Sequence, residues 1–173
     1  MNEFIFYEDV FPKDELDIYR QQILSTDWER DDESNVNRFK RVIREYPMPE
    51  ALLSAYNKFL KPLDKCNLEK GFAERGNFFI DAKLAKYHQG DNFGWHCDDW
   101  IWSKDVPSAR RVLTSITYLN DNFTGGETEF SCGKIIKPVS GKTLLFPSFW
   151  CFGHRGLPVE SGEKHILVMH IWT

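Results

Sequence analysis

The sequence predicts an α+β fold, with helices near the N-terminus packed on one face of a β-sandwich or jelly roll. Three observations predict it. Apolar residues at helical spacing are confined to the first part of the chain, before Phe78. From Phe78 onward, short runs alternate with turn residues: Gly90, Gly94, Gly125-Gly126, Gly133, Gly141, Gly153 and Gly162. Aromatic residues reach 15% of the chain, enough to favour a β-rich interior. With 173 residues, 42% of them hydrophobic, the chain is one domain's worth and can bury a core.

Phe4-Ile5-Phe6-Tyr7 reads as a first strand. Pro12 opens a helix, because its missing N–H costs nothing in the first turn, and Leu16, Tyr19 and Ile23 follow at helical spacing. The polar segment Asp27 to Lys40 reads as a solvated loop or irregular strand. Its acidic run, Glu29, Asp31, Asp32 and Glu33, is read as a solvated face, with selection of a basic peptide as the functional alternative. Pro49 starts a second helix whose Leu52, Tyr56, Phe59 and Leu63 share one face, and Pro62 kinks or ends it. Six strands follow: Phe78 to Tyr87, Trp95 to Asp98, Val112 to Leu119, Glu127 to Phe130, Thr143 to Phe146, and Lys164 to Trp172. With no repeat and no linker, the expectation is one domain over 1–173, a helical support over 1–76 and a jelly-roll core over 77–173.

Composition narrows the partners. The 22 basic and 26 acidic residues argue against nucleic acid or an anionic membrane. No apolar run is long enough to span a bilayer, and Met1-Asn2-Glu3-Phe4 lacks the start of a signal peptide, so the expected location is cytoplasmic. Cys66, Cys97, Cys132 and Cys151 form no CxxC pair and read as free thiols. Cys97 and Cys151 are expected as small buried hydrophobes, and Cys132-Gly133 as a loop.

Chemistry concentrates at His96-Cys97-Asp98, followed far downstream by His154 and Lys164. Two histidines and one carboxylate are the donor set that holds one face of a non-haem Fe(II) ion and leaves the other open. On a strand, residues two apart share a face, so His96 and Asp98 can reach one ion while Cys97 points away. Lys164 can place a cation inside the fold, and a buried Lys is costly without an anionic partner such as a dicarboxylate.

Tyr87-x8-His96-x-Asp98, Arg111-x6-Tyr118-Leu119, Gly125-Gly126-Glu127-Thr128 and His154-x9-Lys164 occur in that order. This pattern, from Phe78 to the C-terminus, resembles the 2-oxoglutarate/Fe(II) dioxygenases of the prolyl 4-hydroxylase type. The resemblance implies a double-stranded β-helix core with Fe(II) bound by His96, Asp98 and His154. It implies that Lys164 pairs with the distal carboxylate of 2-oxoglutarate, and that Tyr87, Tyr118 and Thr128 line that pocket. Arg111 takes a substrate-side position, and Gly125-Gly126 is read as a turn. Where such relatives commonly carry Trp, this chain has His170, which alternation places on the face of Lys164; a pocket role and a hydrogen-bonded core role both stand. His88 and His165 lack ligand spacing and read as structural. Trp95, Trp100 and Trp102, with the polar run Ser103 to Ser108, read as a lid over a substrate, the alternative being core plus surface loop.

The implied reaction consumes 2-oxoglutarate and O2, releases succinate and CO2, and hydroxylates an unactivated C–H bond, with ascorbate often used by relatives to rescue oxidised iron. A peptide or protein substrate, peptidyl proline first, is preferred over a small molecule. The alternatives are a hydroxylase of a free amino acid or other small molecule, and a catalytically silent peptide-binding barrel. Asp98 disfavours a halogenase, and Lys164 disfavours the base-demethylating branch, which uses Arg there.

Overall fold

A computed structural model describes residues 5–25, 39–46, 79–99 and 110–172. Among these, α1 (Lys13–Ser25) and twelve strands appear. Asp14 and Glu15 stand in the first turn of α1, where they complement the helix dipole. Leu16, Tyr19 and Ile23 are its buried residues, as their spacing predicts. The expected second helix, its Leu52, Tyr56, Phe59 and Leu63, the acidic run and Cys66 lie outside the described residues.

The larger sheet is antiparallel throughout. Its order is β1 (Phe6–Asp9), β9 (Lys142–Pro147), β5 (Arg111–Tyr118), β12 (Lys164–Trp172), β3 (Phe79–Tyr87) and β2 (Phe39–Tyr46). The first strand therefore starts two residues later than its apolar run suggests, because Phe6 to Asp9 pair with Leu145 to Lys142. The smaller sheet orders β4 (Phe93–His96), β10 (His154–Gly156), β7 (Thr128–Phe130) and β8 (Ile135–Ile136). A two-stranded ribbon joins β6 (Thr124–Gly125) to β11 (Val159–Ser161). This is the jelly-roll arrangement the sequence predicts. No helix among the described residues is long and apolar enough to cross a membrane.

Strand alternation divides the core in two. Leu167, Met169 and Ile171 of β12 face outward with Leu84, Leu113 and Leu145, and pack against Leu16, Tyr19 and Ile23 of α1. Ile166, together with Ile116, Tyr118 and Phe146, faces inward and meets Phe130 and Ile136 of the smaller sheet. The rings of Phe130 and Phe146 stand 5.0 Å apart, edge to face, across that inner layer. Arg20 ties α1 down, donating from Nε to the Leu119 carbonyl at 2.8 Å and from its guanidinium to Ser140 Oγ at 2.9 Å.

Gly125, read as part of a turn, instead ends β6 opposite Val159, with Gly126 just beyond it, and both positions suit only glycine. Both have positive φ, 72° and 68°, and a methyl on Gly125 would run into the Pro158 carbonyl oxygen. Gly125→Ala is expected to cost about 2 kcal/mol or more. Thermal unfolding should show it as a Tm lower by about 4–8 °C.

Candidate metal centre

His96 ends β4 and His154 begins β10, and the two are Cα partners across the antiparallel pair. Asp98 does not share the strand: β4 stops at His96, and the carboxylate lies two residues further on. What returns it to the site is Thr114 of β5, whose hydroxyl donates to Asp98 Oδ2 at 2.7 Å. The ligand atoms of His96, Asp98 and His154 all lie within 4.8 Å of one another. His96 Nε2 is 3.7 Å from Oδ1 and His154 Nε2 is 3.6 Å from Oδ2.

The far side of each imidazole decides its chemistry. His96 Nδ1 lies 2.8 Å from the Gly94 carbonyl and His154 Nδ1 lies 3.0 Å from that of Phe152. A carbonyl only accepts, so each Nδ1 carries the proton and each Nε2 presents a bare lone pair inward. Phe93 packs on the His96 ring at 4.0 Å and Phe146 on the His154 ring at 4.8 Å, which fixes both orientations. Burial, reinforced by the neighbouring His154, pushes His96 down to about 4, so it is neutral near pH 7. Burial alone would raise the Asp98 carboxyl. His170, His154 and His96 outweigh it and hold the group well below the usual carboxylate range. One charged carboxylate and two bare imidazole nitrogens on one side fit a divalent iron with open positions.

Lys164 is 4% exposed and starts β12, with Tyr87 its Cα partner on β3. Its ammonium donates to the Gly126 carbonyl at 2.7 Å and lies 5.1 Å from the Tyr87 ring centroid and 5.6 Å from that of Tyr118. Burial pushes its pKa down to about 8, against a smaller upward pull from Glu127. Tyr118 and Thr128 share a 2.7 Å hydrogen bond between hydroxyls. Burial pushes both Tyr87 and Tyr118 up, so their phenols stay neutral.

A cavity of about 280 Å³ has the triad, Lys164, Tyr87, Thr128, Arg111 and His170 in its wall. Tyr118 stands behind it and reaches it through Thr128. The Arg111 guanidinium stacks 4.8 Å from the Trp172 ring. His170 faces the triad, 3.7 Å from Asp98 Oδ1. His88 and His165 hold Glu163 instead, at 2.9 and 3.2 Å, beside Lys86 at 3.1 Å.

Two cysteine expectations are corrected. Cys97 is exposed and lies in the wall of the same cavity rather than pointing away from it, because the chain has left β4 at that point, and Cys151 is only half-buried. Cys132 sits in a turn, as read. Trp95 is 52% exposed and covered in part by Arg155, whose guanidinium lies 4.8 Å from its ring and pairs with Glu129. Trp100, Trp102 and the run to Ser108 lie outside the described residues. Sequence reasoning missed Thr114 and its partner Ser148. The signal was present: counting back from Tyr118 by twos gives Ile116 and Thr114, a hydroxyl on the inward face of an apolar strand.

The model of the 2OG-Fe(II) oxygenase superfamily matches residues 82–172. A protein of Acanthamoeba polyphaga mimivirus, provisionally named a prolyl 4-hydroxylase, is 30% identical over 129 residues, covering 66% of this chain and 53% of its own. The chain spans about half the length, or less, of the curated relatives it matches. Among solved structures, the viral collagen prolyl hydroxylase vCPH of Paramecium Bursaria Chlorella virus-1, in its 2OG complex, superposes with a TM-score of 0.69. The two are 23% identical over 98% of this chain and 96% of that one. A Trichoplax adhaerens prolyl hydroxylase in complex with a hypoxia inducible factor peptide fragment gives 0.63 at 16% identity, covering 98% and 83%.

Proposed function

Because the chain belongs to the 2OG-Fe(II) oxygenase superfamily, we propose that it hydroxylates an unactivated C–H bond of a peptide substrate, peptidyl proline first, as a single domain over 1–173. The observation that carries this reading is the cavity with two unlike ends: three metal-ligand side chains at one, a buried ammonium at the other.

In this reading His96, Asp98 and His154 hold Fe(II). The bound iron supplies the redox chemistry by which O2 and 2-oxoglutarate become succinate, CO2 and the new hydroxyl of the substrate. The protein supplies placement. Lys164 takes the distal carboxylate of 2-oxoglutarate, which gives the buried cation the anion that its position calls for. Thr128, Tyr118 and Tyr87 shape that end, and the aromatic faces of the two tyrosines keep water from the ion pair. Arg111 and His170 are in the cavity wall, and we assign them, with Trp100 and Trp102, to the substrate side. A peptide is supported by the Trichoplax relative, which binds a peptide fragment. An extended polyproline-II segment is already ordered and loses little entropy on binding.

The test is succinate formation from 2-oxoglutarate with Fe(II), O2 and ascorbate, with and without a proline-rich peptide. Stimulation by the peptide, with a mass gain of one oxygen on it, is the expected result. Turnover indifferent to the peptide but stimulated by a free amino acid would move the substrate to a small molecule. No turnover with any substrate, in a protein that binds the peptide, would leave a silent peptide-binding barrel.

A further inference from the structure

Asp98 is the one member of the triad outside a strand, yet it is 9% exposed, with one carboxylate oxygen hydrogen-bonded and the other facing His170. The two side chains that hold it are direct partners across the β5–β12 pair, Thr114 opposite His170. Thr114 Oγ1 donates to Oδ2 at 2.7 Å, and His170 Nε2 stands 3.7 Å from Oδ1. An ionised carboxylate only accepts, so the single Thr114 proton is committed to it. The 2.9 Å bond between Thr114 and Ser148 must then run from the Ser148 hydroxyl to Thr114. Ser148 is anchored in turn by its amide, which donates to the Val112 carbonyl at 3.0 Å. The relay Ser148 to Thr114 to Asp98 is thus fixed in direction and tied to β5.

The other jaw is read from an absence. His170 is 5% exposed, and its Nδ1 is buried with no hydrogen-bond partner among the described residues. A buried N–H without an acceptor is rarer than a buried acceptor without a donor, so Nδ1 is the bare nitrogen and Nε2 carries the proton. That N–H lies on the side of the ring next to Oδ1. At 3.7 Å the contact is longer than a hydrogen bond. The ring acts there as an oriented dipole in a low-dielectric pocket and as a wall against rotation of the carboxylate.

We propose that Thr114 and His170 form a cross-strand clamp that fixes the plane of the Asp98 carboxylate and so sets the affinity of the centre for a divalent metal. The two act as positioning residues, through Asp98. The inference rests on the reading of Asp98 as a ligand, and the experiment separates the two.

Co(II), which reports its coordination in its visible absorption, is titrated into the wild type, Asp98→Ala, Thr114→Val, Thr114→Ser, His170→Phe and His170→Gln, each checked by thermal unfolding. Loss of an outer partner typically weakens metal binding about 10–100-fold, and that is the effect expected for Thr114→Val and His170→Phe, with an altered Co(II) spectrum. Thr114→Ser keeps the hydroxyl and His170→Gln keeps a donor at the position of Nε2, so both should recover most of the affinity. Wild-type affinity and spectrum in the Val and Phe variants would overturn the clamp while Asp98→Ala, unable to bind, upheld the triad. Ser and Gln variants as weak as Val and Phe would also overturn it, since packing alone would then explain the loss. No Co(II) binding by the wild type, or unchanged binding by Asp98→Ala, would overturn the triad reading and the clamp with it. Should Thr114→Val or His170→Phe fail to fold, Thr114→Ala and His170→Asn take their place under the same criteria.

Discussion

Asp98→Ala is expected to abolish 2-oxoglutarate-dependent succinate formation, a loss beyond the ~10–100-fold typical of removing an outer partner. The substitution takes away the only carboxylate among the three ligand side chains. What is left is two imidazoles, of which His96 is held uncharged by burial and by His154. A divalent ion would then enter a half-buried site with two imidazole donors but without the carboxylate charge that offsets its lost hydration. The variant should also fail to gain thermal stability when Fe(II) or Co(II) is added, whereas the wild type should gain it by mass action. A variant that kept both turnover and the metal-induced shift would show that the triad is not the metal site.

Lys164→Met is expected to damage function and to help stability. Removing one partner of a buried charge pair costs about 2–5 kcal/mol, so the 2-oxoglutarate concentration for half-maximal turnover should rise at least ~30-fold. In the cosubstrate-free protein the sign reverses. Burial lowers the Lys164 pKa from 10.5 to about 8, which costs the folded state on the order of 3 kcal/mol at neutral pH. The folded-state pKa is the lower one, so between about pH 8 and 10.5 the unfolded chain binds more protons. The Lys164 contribution to stability therefore rises with pH across that window, and below it the penalty is complete. The lost hydrogen bond to the Gly126 carbonyl offsets part of the gain. The Met variant should unfold at the higher temperature at pH 7, by a few degrees, and the difference should shrink toward pH 10. Denaturation scans across pH without added anions check it. A Met variant less stable than the wild type at pH 7 and no different at pH 10 would reject the account.

The sequence carried much of this arrangement because two periodicities dominate it. The alternation in Lys164 to Trp172 predicts that His170 shares the face of Lys164, and both are found in the cavity wall, while the opposite row packs on α1. The spacing of Leu16, Tyr19 and Ile23 likewise predicts the buried face of α1. Periodicity has little purchase on strands of two or three residues, which explains why β6, β8, β10 and β11 went unpredicted although β7 did not. His-x-Asp was read as one strand face, but β4 ends at His96, and Asp98 arrives by a hydrogen bond to Thr114 on another strand. That bond is a tertiary fact, visible only once β5 lies beside the loop. Cys97 was misplaced for the same reason, since a residue leaving a strand loses the alternation that would bury it.

The two rows of β12 have a consequence for how such an enzyme can change. Positions 167, 169 and 171 carry the adhesion between sheet and helix, while 166, 168 and 170 look into the cavity. Of the even sites, Ile166 also fills the inner core and His170 faces Asp98, which leaves Val168 as the position where a side chain can be exchanged at least cost to packing and to the metal centre. Insertion of a single residue would swap the two rows at once. In this strand novelty is open to substitution and closed to length change, and a library for a new substrate belongs at Val168, which is partly buried in the cavity wall and clear of the Asp98 clamp.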